Sequence, residues 1–167
     1  MSLFLVDGYN LMHRFGFGRD SARSLEEKRA RLEAELRRFL AASPTGTRVV
    51  VIYDGARGLP HQTERRGGLE IRFSRPPQTA DALLLDYCRR LGQSRQTCVV
   101  TSDLSDIAGP LMGLPLERLS SERFVAMLEA RTKERDRADE KPGPISAAEA
   151  RKWAQTFGFE RGEEKKP

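Results

Sequence analysis

Cysteine and lysine are scarce in this chain, and no apolar stretch is long. Two cysteines among 167 residues, Cys88 and Cys98, are too few for a disulfide framework or a zinc site. Both lie in apolar-rich stretches and read as buried thiols of a reducing cytoplasm. No apolar run approaches the roughly 18 residues of a membrane span, so no membrane partner is expected. Leu3-Phe4-Leu5-Val6 follows no basic region and precedes no cleavage site, so it reads as a strand rather than a signal peptide. A Gly-x-x-x-x-Gly-Lys phosphate loop is absent. Gly16-Phe17-Gly18 lacks the rest of a dinucleotide fingerprint. His13 and His61 show no ligand spacing, and both read as surface residues. No solenoid repeat occurs.

Arginine is what the chain has instead. Its 29 basic residues comprise 23 Arg and 6 Lys, against 24 acidic residues, for a net charge of +5. The planar fork of Arg fits phosphate bidentately, so this bias permits a nucleic-acid partner without requiring one.

Short β-rich runs alternate with helical patterns. Strands are expected at 3–6, 48–53, 69–73, 97–101 and 116–119. Ser24-Leu25-Glu26-Glu27 is a capping box, and Leu25, Leu32, Leu36, Phe39 and Leu40 share one face of a helix over 24–42. Its other face, with Arg29, Arg31, Arg37 and Arg38, reads as solvated. A second helix runs from Ala80 to Leu91, with Thr79 placed to cap it and Gly92 to stop it. A short helix is expected over 104–112, and a last one from Ser120 or Ser121 to about Arg131. Strands apolar on both faces, separated by helices, imply a mainly parallel sheet covered on both sides. Residues 1–131 therefore read as the domain. Residues 132–145 read as a charged linker or helix end, 146–158 as an appended amphipathic helix and 159–167 as a disordered tail.

Parallel sheets place their chemistry at the carboxyl ends of the strands. Asp7 follows the first strand, Asp54 the second, and Asp103 the strand ending at Thr101, with Asp106 three residues on. Asp81 lies in the first turn of the helix capped by Thr79. Such a cluster repels itself unless a cation joins it. Oxygen ligands without His or Cys favour Mg²⁺ or Mn²⁺, ions suited to phosphodiester hydrolysis. Each aspartate also has a local explanation. Asp7 and Asp54 precede glycines as turn formers do, while Asp81 and Asp103 suit helix starts. Asn10 is a candidate for binding water or phosphate or for capping a turn. Thr101 and Ser102 are candidates for holding a ligand or orienting a carboxylate. Arg57, Arg65, Arg66, Arg72 and Arg75 surround a glycine-rich loop between Asp54 and Asp81. They are placed either to track a phosphate backbone or simply to be solvated.

Phe4-Leu5-Val6-Asp7-Gly8-Tyr9-Asn10, Val51-Ile52-Tyr53-Asp54, Thr79-Ala80-Asp81 and Val100-Thr101-Ser102-Asp103 together resemble the YacP-like branch of the NYN domain family, within the PIN-like metal-dependent nucleases. The resemblance covers residues 2–131. It implies a three-layer α/β/α sandwich, an Mg²⁺ or Mn²⁺ site and endoribonuclease activity. Some members are ribosome-associated and cut messenger RNA. Asp7, Asp81 and Asp103 match the family's acidic positions, with Asn10, Asp54 and Asp106 in support. Leu85 stands where the family often has an acid. The alternative function is an RNA- or ribosome-binding module with a weak or inactive acidic site.

Overall fold

Five consecutive β-branched and aromatic residues, Val49 to Tyr53, build the innermost strand of the molecule and lose all contact with solvent. The computed structural model describes residues 2–19, 21–55, 63–91, 96–102 and 110–139. Six strands occur among them: β1 (Leu3–Asp7), β2 (Arg48–Tyr53), β3 (Glu64–Arg66), β4 (Leu69–Phe73), β5 (Thr97–Val100) and β6 (Glu117–Leu119). Their order across the sheet is β3-β4-β2-β1-β5-β6. All neighbours run parallel except the edge pair β3–β4. In register, Leu5 lies beside Val50 and Val99, and Asp7 beside Ile52.

Among the described residues four α-helices cover the sheet: α1 (Gly8–Arg14), α2 (Leu25–Ala41), α3 (Ala80–Leu91) and α4 (Ser121–Asp139). A short 3-10 turn occupies Phe17–Arg19. On one face Val6, Val49, Val51, Leu69 and Ile71 pack with Leu11 of α1, Leu32, Leu36 and Phe39 of α2 and Phe124 and Leu128 of α4. On the other, Leu5, Val50, Ile52 and Val99 pack with Ala80, Leu84 and Cys88 of α3. The result is the three-layer α/β/α sandwich with a mainly parallel sheet. Each fully buried Val or Leu contributes about 2 kcal/mol.

The expected caps form. Ser24 Oγ accepts the Glu27 N–H at 3.2 Å while the Glu27 carboxylate accepts the Ser24 N–H at 2.7 Å. Thr79 Oγ1 accepts the Ala82 N–H at 3.2 Å. Three features differ from the sequence reading. Helix α1 forms from Gly-Tyr-Asn, poor helix formers on their own, because Asp7 caps it and Leu11 and Met12 are buried. Glu64-Arg65-Arg66, read as loop, pairs as a strand. Gly67 and Gly68, both at positive φ (56° and 87°), turn the chain between β3 and β4. Finally, α4 continues to Asp139 rather than stopping near Arg131, because its Lys, Arg and Glu residues are good helix formers. Residues Met1–Glu134 form one compact unit. Of the short helix expected over 104–112, residues 104–109 lie outside the described residues, and 110–112 form part of a turn. The expected C-terminal helix and tail also lie outside them.

Candidate active site

Asp7 ends β1 and caps α1, its Oδ1 accepting the Asn10 N–H at 3.0 Å. Helix α1 can start this close to β2 because residue 8 is glycine. A Cβ there would overlap the ring of Tyr53. That ring is wholly buried, and burial pushes its hydroxyl far above the ordinary value, so it stays protonated.

Asp54 leaves the adjacent strand and binds the start of α3. Its Oδ1 accepts the Ala80 N–H at 2.7 Å and the Ser74 hydroxyl at 3.2 Å. The next residue of α3 is Asp81, which is exposed. Asp54 thus anchors the turn that carries Asp81. Both negative charges reach Asp7. Burial, then the charges of Asp81 and Asp54, outweigh the backbone N–H groups of Asn10 and Tyr9 and raise the Asp7 carboxyl from 3.8 to about 6.

Asn10 is a junction. Its Oδ1 accepts the Ser102 N–H at 3.2 Å and the Ser121 hydroxyl at 2.7 Å, tying α1 to the end of β5 and the start of α4. Ser102 Oγ in turn accepts the Ser121 N–H at 3.2 Å and donates to Glu122 Oε2 at 2.8 Å. Glu122 also pairs with Arg14 Nε at 2.8 Å. Thr101 is buried, and its N–H donates to the Leu119 carbonyl. The side-chain oxygens of Asn10 and Ser102 hold segments together here. Ser121 and Glu122 were missing from the sequence reading of the site, although the Ser-Ser-Glu start of a helix is their visible trace.

Asp7, Asp54 and Asp81 therefore gather electrostatically at one sheet edge. Asp103 and Asp106 lie outside the described residues. Among the described residues no three acidic, His or Cys side chains stand in metal-ligand geometry. The donor chemistry nevertheless fits a hard divalent cation. A carboxylate raised by burial and then by two like charges is stabilised by a positive ion, and every donor is an oxygen.

The predicted basic residues separate. Arg57 lies outside the described residues, and Arg66 and Arg75 are exposed. Arg65 and Arg72 turn to a residue overlooked in the sequence, Glu70 of β4, only 3% exposed. Arg72 Nε meets its carboxylate at 2.6 Å, Arg65 Nε at 2.8 Å and Arg48 Nη2 at 3.4 Å. Burial pushes Glu70 up, but the hydrogen bonds of Arg72 and Arg65 prevail and hold it below its usual 4.5. The alternation Glu70, Arg72 within Leu69-Glu70-Ile71-Arg72-Phe73 was the available signal.

This chain matches the YacP-like NYN domain over residues 4–156. The chain belongs to the YacP-like NYN family. This places it among PIN-like nucleases, which generally depend on a divalent metal. Its YacP-like fold is similar to the crystal structure of Rae1 (YacP) from Bacillus subtilis, with a TM-score of 0.67 and 26% identity, over 95% of this chain and 93% of that one. A tryptophan-to-leucine mutant of Rae1 matches with a TM-score of 0.66 and 25% identity, over 85% and 87%. No curated protein matches this YacP-like chain. No helix among the described residues is long and apolar enough to cross a membrane.

Proposed function

We propose that this chain is an endoribonuclease that hydrolyses RNA phosphodiester bonds with Mg²⁺ or Mn²⁺. Messenger RNA is the proposed substrate, the ribosome a partner and the cytoplasm the place of action. The convergence of Asp54 and Asp81 on a half-buried Asp7 whose carboxyl is raised to about 6 carries the reading. Asp7, Asp54, Asp81 and Asp103, with Asp106 in support, are the proposed ligands, and Asp7, Asp81 and Asp103 the proposed catalytic set. When bound, the cation supplies the charge that activates water and stabilises the attacking and leaving oxygens of an in-line displacement.

The protein's own part is placement. Asp7 is held by its cap bond to Asn10. Asp54 fixes the first turn of α3 and so the position of Asp81. Asn10 grips the N–H of Ser102, the residue before Asp103. Family membership supports a nuclease, and the arginine bias of the chain supports a polyanionic substrate.

Cleavage of labelled single-stranded RNA, with Mn²⁺, Mg²⁺ or EDTA, tests the proposal beside an Asp7→Asn/Asp81→Asn variant. The same series on translating ribosomes tests the partner. Metal-dependent cuts that vanish in the variant are expected. Intact RNA under every condition, with RNA or ribosome binding retained, leaves a binding module instead.

A further inference from the structure

We propose that the arginines gathered on Glu70 form a phosphodiester-binding subsite that receives single-stranded RNA beside the acidic edge. This rests on the nuclease reading above. Arg65 and Arg72 both meet the carboxylate through Nε, at 2.8 and 2.6 Å. A guanidinium held by Nε turns its outer Nη groups away from the carboxylate. Arg72 Nη1 already donates to Thr63 Oγ1 at 2.9 Å, so the outward fork suited to a bidentate phosphate contact is chiefly that of Arg65, with Arg72 placed beside it. The Arg65 side chain is 66% exposed and Arg48 51%, so both meet solvent although the residue they grip is buried. Three guanidiniums around one carboxylate leave two positive charges in excess.

The patch extends in two directions. Along α3, the Tyr87 hydroxyl reaches Glu70 at 3.5 Å, and the Arg90 guanidinium lies over the Tyr87 ring at 4.9 Å. Along β4, Arg72 leads through Phe73 to Ser74, whose hydroxyl donates to Asp54 at 3.2 Å, and then to exposed Arg75. Strand β4 therefore carries Glu70 and Arg72, with Arg65 and Arg48 on the strands at either side of it, and touches the acidic edge at its carboxyl end. A strand-edge staple alone would need Arg65 and Arg72 only as charges for Glu70. A phosphate fork needs their shape as well, and lysine separates the two.

The test measures binding of fluorescein-labelled single-stranded polyuridine to the full chain by anisotropy, in EDTA so that the probe stays intact. Arg65→Ala/Arg72→Ala is expected to weaken binding about tenfold and to flatten the salt dependence by about 1.4 in log–log slope, for two lost phosphate contacts. Arg65→Lys/Arg72→Lys keeps positive partners for Glu70, and with them the fold, and is expected to weaken binding about fivefold. Arg37→Ala/Arg38→Ala on α2 removes the same charge and serves as the control. Thermal unfolding by circular dichroism confirms that each variant is folded. Lysine variants that bind like the unmodified chain, or alanine variants that match the control, overturn the subsite and leave the nuclease reading standing. An unmodified chain that neither binds nor cuts RNA overturns both.

Discussion

Asp7 and Glu70 are two carboxylates withdrawn from solvent on the same sheet, and their surroundings push them in opposite directions. Asp7 ends a strand among other carboxylates, and burial and like charge raise it to about 6. Glu70 lies within a strand among guanidiniums, and their hydrogen bonds hold it below 4.5. Burial is common to both, so the sign of the outcome comes from the neighbours. Glu70 is compensated from within the protein, and its removal is expected to injure the fold. Asp7 is set against its own neighbours, and its removal is expected to injure function while relieving the fold. That opposition is what a site for an external cation requires and what a structural ion pair lacks.

Asp7→Asn gives the largest effect. Asparagine caps a helix as well as aspartate and keeps the bond to the Asn10 N–H, so only the charge is lost. Metal-dependent RNA cleavage is expected to fall about a thousandfold, equivalent to about 4 kcal/mol of barrier, in single-turnover assays. Equal cleavage by the variant would break the contrast at its functional end. Glu70→Ala comes next. Removing the acceptor shared by Arg48, Arg65 and Arg72 is expected to cost about 2 kcal/mol in urea unfolding, less than a fully buried pair would, because the arginines can turn to water.

The two carboxylates also predict opposite pH slopes. The folded value of Asp7 lies above its unfolded 3.8. Between about pH 6 and pH 4 the native state therefore holds more protons, and the metal-free protein gains stability as pH falls. Asp7→Asn abolishes that slope and stabilises the metal-free protein at pH 7 by about 2 kcal/mol, measured by chemical denaturation with EDTA present. The contribution of Glu70 is present above its usual 4.5 and is lost as pH falls through its lowered native value. The smallest effect belongs to Asp54→Asn, which retains an acceptor for the Ala80 N–H. Its stability change is expected within about 0.5 kcal/mol. The carboxyl of Asp7, followed by carbon NMR, should titrate lower because one like charge is gone.

Elements carrying local signals of their own were legible in the sequence. Strand β2 was read end to end from its β-branched run, and α2 and α3 from Ser24 and Thr79. Helix α1 was not, because its cap belongs to the preceding strand and its stability comes from burying Leu11 and Met12. Strand β3 was hidden because Glu64-Arg65-Arg66 has no apolar member. Only its partner on β4 makes it a strand. The gathering of Asp7, Asp54 and Asp81 followed from one topological rule, since parallel strands bring their ends together wherever they lie in sequence. The partners of Arg65 and Arg72 did not follow. They depend on hairpin register, with Arg65 opposite Glu70, and a loop reading erases register.

The Asn10 junction also sets an order of events. Its carbonyl is satisfied by Ser102 and Ser121, which lie 92 and 111 positions further along the chain. Synthesis delivers the amino-terminal end first, and contacts this distant form late and slowly. A chain still short of α4 can carry Asp7, Asp54 and Asp81 without the tie that closes the far side of the edge. The acidic edge is therefore completed only when nearly all of the sheet has been made.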